Sequence, residues 1–200
     1  MLPLYIVSTT LLILAPGANM MMILALASAN GGAAARRAAL GLTSGVLCHT
    51  ALAATGGALV LQRWPAALHV IQMGGGVVLL WIGGQLVIRQ LWPHTQSTTG
   101  AAEGPRSAYI QGVLSSLTNV KTLVLFISFL PQFFAVGQPL AGQFVFHGGI
   151  YALLTLAIYA SIGSLAGYFG ETLRRPTLQR WLRGSAGCVI VGFGVLGFIS

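Results

Sequence analysis

The chain has 200 residues, of which 56% are apolar and only 6% are charged, and its mean hydropathy is +0.84. A soluble domain carries about 25% charged residues, so these side chains cannot cover a water-facing surface; a cytosolic enzyme, a disordered tail and a disulfide-stapled secreted domain are excluded. The formal charge of +8 comes from scattered basic residues with no stripe to track phosphates, so nucleic acid is not an expected partner and the charge reads as membrane topology.

Long uncharged runs separate the charges, and a bilayer-spanning helix needs about 20 apolar residues. The runs predict helices near 4–26, 38–61, 66–88, 108–131, 142–168 and 183–200. They are continuous rather than alternating, which disfavours a β-barrel. The expected fold is an all-α integral membrane protein with six transmembrane helices in the lipid bilayer.

The first helix contains Pro16-Gly17-Ala18-Asn19. Proline lacks an N–H and clashes with the carbonyl four residues earlier, so the helix is expected to open near the bilayer midplane. Groups freed there are tolerated only when buried in protein or lining a cavity. Ala27-Ser28-Ala29 imitates a signal-peptide cleavage site, but no basic segment precedes the apolar run and cleavage is not expected. Arg36 and Arg37 mark the first loop. The second helix carries Gly41 and Gly45, a small-xxx-small pair that lets helix backbones approach closely and would allow a homodimer, followed by Cys48 and His49. Arg63 stands alone in the second loop, and the third helix contains Gly74-Gly75-Gly76.

Residues 92–107 (WPHTQSTTGAAEGPRS) form a hydrophilic linker that divides the chain into 1–91 and 108–200, three helices each. The fourth helix holds Asn119 and Lys121 and closes on Pro131-Gln132-Phe133. The fifth holds His147, Gly163 and Gly167. Arg174, Arg175, Arg180 and Arg183 crowd the fifth loop, and Cys188 lies in the last helix. Loops one, three and five thus carry all the arginines but Arg63, which places them in the cytoplasm and both termini outside. Halves with an odd number of spans must be inverted relative to each other, the plan of many secondary transporters.

Lys121 is the only lysine, and it falls in mid-span. A central cation costs about 2.5–3.5 kcal/mol on insertion scales. The two acidic residues, Glu103 and Glu171, lie outside the predicted spans, so a substrate carboxylate fits beside Lys121. Joint action of Lys121 with Asn119 requires a local break, because residues two apart on a helix face different ways. His49 and His147 are the histidines well inside spans, and either could carry a coupling proton. No His/Cys/acidic cluster has metal-ligand spacing and no nucleophile–base pair or phosphate loop is present, so no metal, cofactor or enzymatic activity is expected.

At these residues the chain resembles the LysE/RhtB family of lysine and homoserine/threonine exporters over nearly its whole length. The family's Pro-Gly-Pro-Asn corresponds to Pro16-Gly17-Ala18-Asn19, its basic loop and glycine-rich second helix to Arg36-Arg37 and Gly41-x-x-x-Gly45, its Asn-Pro-Lys to Asn119-Val120-Lys121, and its Pro-Gln-Phe to Pro131-Gln132-Phe133. The resemblance implies an inner-membrane, proton-driven efflux protein for amino acids or close relatives. Ala18 and Val120 replace family prolines, which predicts milder helix breaks. Val46 stands where many members have an aspartate, which argues against a cationic substrate.

The expectation is therefore an exporter of a small neutral amino acid, with Pro16, Gly17, Asn19, Asn119 and Lys121 binding substrate. His49 is the first choice for proton coupling and His147 the second; Gly41, Gly45, Pro131 and Gln132 serve the scaffold. Two other readings are a non-transporting membrane partner and a thiol redox protein using Cys48 and Cys188.

Overall fold

The computed structural model describes residues 2–57, 105–135 and 137–199, with the isolated positions 59, 63, 64, 77, 80, 81 and 84. Every regular element among them is helical. Helix α1 (Leu2–Leu14) is followed by a break and by α2 (Ala18–Leu52), which passes into a π-helical turn at Ala53–Gly57. Helix α3 (Pro105–Leu117) and the short α4 (Val120–Val124) flank a second break. A π-helical turn (Leu125–Phe129) and a 3-10 turn (Leu130–Phe133) extend α4. Helices α5 (Leu140–Arg174) and α6 (Pro176–Ile199) are parted only at Arg175. The predicted third helix and the linker as far as Gly104 lie outside the described residues, apart from the isolated positions.

Two stretches, Ala18–Gly57 and Leu140–Ala166, are long and apolar enough to cross a membrane. The first is not one rod. Gly31 adopts φ 80° and ψ 170° inside α2 and turns the chain between two helical segments. That backbone region is essentially reserved for glycine. The sequence reading ended the first helix at 26 and began the second at 38. The turn instead sits at Gly31, because the alanine-rich run that follows is a strong helix former and carries Arg36 and Arg37 on helix. The fifth-loop arginines are likewise largely helical: Pro176 opens α6, a position where its missing N–H costs nothing.

The second segment of α2 is the hub of the fold. A methyl group on Gly41 would overlap the Tyr109 carbonyl, and one on Gly112 would overlap that of Ala38, so α2 and α3 interlock backbone to backbone. Gly45 meets Ser116 at the same seam. The small pair at 41 and 45 is thus used up inside the chain, which removes it as a homodimer face. From Ala38 to Gly45 the neighbours on α3 run from Gly112 to Ser116, so the two helices are parallel. On the opposite flank Ala35 meets Gly163 and Thr50 meets Gly148, so α5 runs antiparallel. These directions bring Arg36, Arg37, Arg106 and Arg175 to one end of the bundle, where Arg36 Nη1 donates to Ser164 Oγ at 3.3 Å.

Tyr5, Leu12, Met20, Ile23, Leu42, Leu125 and Phe129 are fully buried, or nearly so, in the core. The exterior is equally apolar: Leu4, Val7, Leu47, Leu52, Phe146, Leu153 and Leu165 all point outward. Such a surface suits acyl chains rather than water. We expect Gly31→Ala to destabilise the detergent-solubilised protein by about 1–3 kcal/mol through its backbone strain. Gly192→Ala, at a helical position with open space around it, should leave the melting temperature unchanged or slightly raised.

Candidate functional site

The two breaks are complete interruptions that cross each other, not the milder distortions expected from the loss of two prolines. At the first, the last regular backbone bond of α1 runs from Ala15 N–H to the Leu11 carbonyl. Pro16 has no N–H to give the Leu12 carbonyl. Gly17 is extended, at φ −154° and ψ −173°, and takes the chain away from the Ile13 carbonyl. Two adjacent carbonyls are thereby released inside the protein, and buried carbonyls need partners.

Both partners come from distant parts of the chain. Lys121 Nζ donates to the Leu12 oxygen at 2.7 Å. The Tyr159 hydroxyl donates to the Ile13 oxygen at 3.1 Å from the middle of α5. Lys121 is half-buried and Tyr159 is buried.

At the second break Asn119 replaces the missing proline in function. Its backbone is extended (φ −77°, ψ 101°), and its side-chain oxygen accepts the Lys121 N–H at 3.0 Å, capping α4. An asparagine at this position satisfies an orphan amide and fixes where the helix starts. Its other side-chain group, Nδ2, donates to Asn19 Oδ1 at 3.0 Å, and Ser115 Oγ donates to the same oxygen at 2.9 Å. The asparagines of the two breaks are therefore bonded directly. Gly17 has no side chain with which to cap the first amides of α2.

His49 joins this cluster. Its Nε2 lies 3.2 Å from the Ser116 carbonyl, which also accepts the Asn119 N–H at 3.2 Å. A carbonyl only accepts, so Nε2 carries the proton in this contact and Nδ1 is an acceptor. His147 is elsewhere. Its Nδ1 donates to the Gln143 carbonyl at 2.9 Å, and the rings of Tyr5, Phe134 and Phe146 surround it with centroids at 4.9, 5.6 and 5.3 Å. The Tyr5 hydroxyl donates to the His147 carbonyl at 2.7 Å.

Of the sequence-predicted site residues, Pro16, Gly17, Asn19, Asn119, Lys121 and His49 come together, whereas His147 does not. Pro131 is buried in the 3-10 turn, where Gln132 Nε2 donates to the Ser128 carbonyl at 3.1 Å. Cys48 and Cys188 are both free and exposed.

Sequence reasoning missed Ser115 and Tyr159, and it expected freed carbonyls at the first break without naming those of Leu12 and Ile13. Two signals for them were present. Leu12 is four residues before Pro16, and His147, Tyr151, Thr155 and Tyr159 recur every fourth residue on one face of α5.

A family model for LysE type translocators matches residues 10–200. A leucine efflux protein of Klebsiella pneumoniae is 30% identical over 192 residues, covering 94% of this chain and 90% of the relative. Threonine efflux proteins of Salmonella typhi and Escherichia coli K12 are 28% and 27% identical over 195 residues, each covering 94% of this chain and 92% of the relative. No solved structure matches the chain.

If the asparagine pair ties the breaks together, a double-mutant cycle of Asn19→Ala and Asn119→Ala on unfolding should give a coupling of about 0.5–1.5 kcal/mol. Additive effects would mean that the two side chains act separately.

Proposed function

From the premise that the chain belongs to the LysE family of translocators, we propose that it exports a small neutral amino acid across the bacterial inner membrane, coupled to proton entry. Its relatives are efflux proteins for threonine and leucine, and these two amino acids are the first substrates to test. In this reading six helices form two inverted halves, 1–91 and 108–200, joined by the linker 92–107. The arginine-bearing end of the bundle faces the cytoplasm and both termini lie outside.

The observation that carries the proposal is the meeting of the two breaks. A transporter needs a polar site at mid-depth that belongs to two moving parts, and irregular backbone inside a bilayer is stable only where it is enclosed or lines a cavity. Here one break contributes freed carbonyls, and the other contributes an asparagine cap and a cation. A bond such as Asn119 Nδ2 to Asn19 Oδ1, one member from each half, can be broken and remade as the halves rock.

Lys121 donates to a neutral carbonyl, which hydrogen-bonds its charge without neutralising it. An anionic group arriving there gains an ion pair in a site of low dielectric. The carboxylate of an amino acid supplies that group.

His49 is the proton carrier in this reading. It holds the Ser116 carbonyl through one nitrogen, and protonation of the other would add a charge beside the second break. His147, bound within its own helix among aromatic rings, is assigned to the scaffold of the outer end. The non-transporting reading predicts that polar residues at the breaks are replaceable. The thiol redox reading must explain two free, outward-facing cysteines.

Lys121→Met should lower export of labelled leucine or threonine from loaded vesicles by about tenfold to a hundredfold, the worth of a charge-assisted hydrogen bond. Export at the wild-type rate would remove the carboxylate role. His49→Gln should abolish accumulation driven by a proton gradient while leaving exchange of labelled for unlabelled amino acid intact. The Cys48→Ser, Cys188→Ser double variant should export normally.

A further inference from the structure

The Lys121–Leu12 contact has the same chemistry as an amino acid's own ammonium resting on a carbonyl. Resting on the exporter reading above, we propose that the substrate zwitterion inserts between these two groups. Its carboxylate takes the Lys121 ammonium, and its α-ammonium takes the Leu12 carbonyl that Lys121 gives up. The adjoining Ile13 carbonyl, held by the Tyr159 hydroxyl, completes the ammonium site when the tyrosine swings away.

Four observations carry this assignment. First, Pro16 removes the backbone donor that would otherwise occupy the Leu12 carbonyl, so that acceptor is committed to a side chain or a ligand. Second, both released carbonyls are held by groups at the ends of side chains, at 2.7 Å from Lys121 Nζ and 3.1 Å from the Tyr159 hydroxyl. Side-chain donors can be exchanged without unfolding a helix. Third, the chain's only acidic residues are Glu103 and Glu171, both outside the predicted spans, so a substrate ammonium has to be recognised by neutral oxygens. Fourth, the exchange is balanced. The Lys121–Leu12 and Tyr159–Ile13 bonds are broken, one ammonium–carboxylate and two ammonium–carbonyl bonds are formed, and the Tyr159 hydroxyl is the one donor released, so no buried charge is left alone.

The proposal assigns the Leu12 and Ile13 carbonyls as the subsite for the substrate's α-ammonium. It also assigns Tyr159 as a competitor for the site: its hydroxyl occupies an acceptor that the bound ammonium would use. Removing that hydroxyl should therefore tighten binding, a sign opposite to that expected of a residue that merely supports the fold.

The test uses the full-length protein in proteoliposomes, with labelled L-leucine and L-threonine as probes. Tyr159→Phe should lower the half-saturating concentration about threefold or more, because a competing hydrogen bond is removed. On the wild-type protein, the α-hydroxy acid analogue of leucine, which lacks the ammonium, and 3-methylbutan-1-amine, which lacks the carboxylate, should each compete at least about tenfold more weakly than leucine. Should Tyr159→Phe fail to fold, the analogue series alone decides.

Competition by the hydroxy acid as strong as that of leucine, or unchanged or weakened binding in a folded Tyr159→Phe, would overturn the zwitterion insertion and leave the exporter reading standing. Binding of neither amino acid by the wild-type protein would overturn both.

Discussion

An ammonium group on a carbonyl oxygen joins the two helix breaks of this structure. Pro16 removes the donor that the Leu12 carbonyl would have had in a continuous helix, and Lys121 supplies another from the far side of the chain. Neither group could stay in an apolar interior alone, since an unpaired carbonyl and an unpaired cation are each costly there. Together they pin the first break against the second. The asparagine pair and the Tyr159 bond to the Ile13 carbonyl extend the same join on either side.

The rest of the fold serves to bring these breaks to one place. The glycine seams of α2 against α3 and α5 bring backbones close where hydrophobic burial gives little drive. They fix α3 parallel and α5 antiparallel to the second segment of α2, and so set Ser115, Asn119 and Tyr159 against the segment running from Leu12 to Asn19. Gly31 performs the tight reversal that lets both segments of α2 use this arrangement. The Lys121, Tyr159, Asn119 and Ser115 donors in the centre are each matched to an oxygen of the first break, while the outward face remains apolar.

Much of this was legible in the sequence because its rules are local. Charge spacing located the long apolar helices, Pro16 announced the first break, and the need for Asn119 and Lys121 to act together called for the second. Four things were not legible. The turn at Gly31 depends on one backbone conformation among many glycines. The completeness of the second break depends on a cap by Asn119 that no missing proline foretells. The grouping of His49 with the breaks and the isolation of His147 are long-range facts, set by how α2 lies on α3. Tyr159 stands on a four-residue stripe of α5 that the sequence displays, but its partner, a backbone carbonyl 146 residues away, leaves no mark in side-chain patterns.

The central claim is that the Lys121 ammonium sits on the Leu12 carbonyl. Because the chain has a single lysine, 15N labelling of lysine side chains gives one ammonium signal, and solid-state NMR in lipid can measure its dipolar coupling to 13C-labelled leucine carbonyls. The account predicts a strong coupling at hydrogen-bonding range that disappears when Leu12→Ile removes the label from that one carbonyl. A lysine ammonium with no nearby leucine carbonyl, or a coupling unchanged by Leu12→Ile, would contradict it.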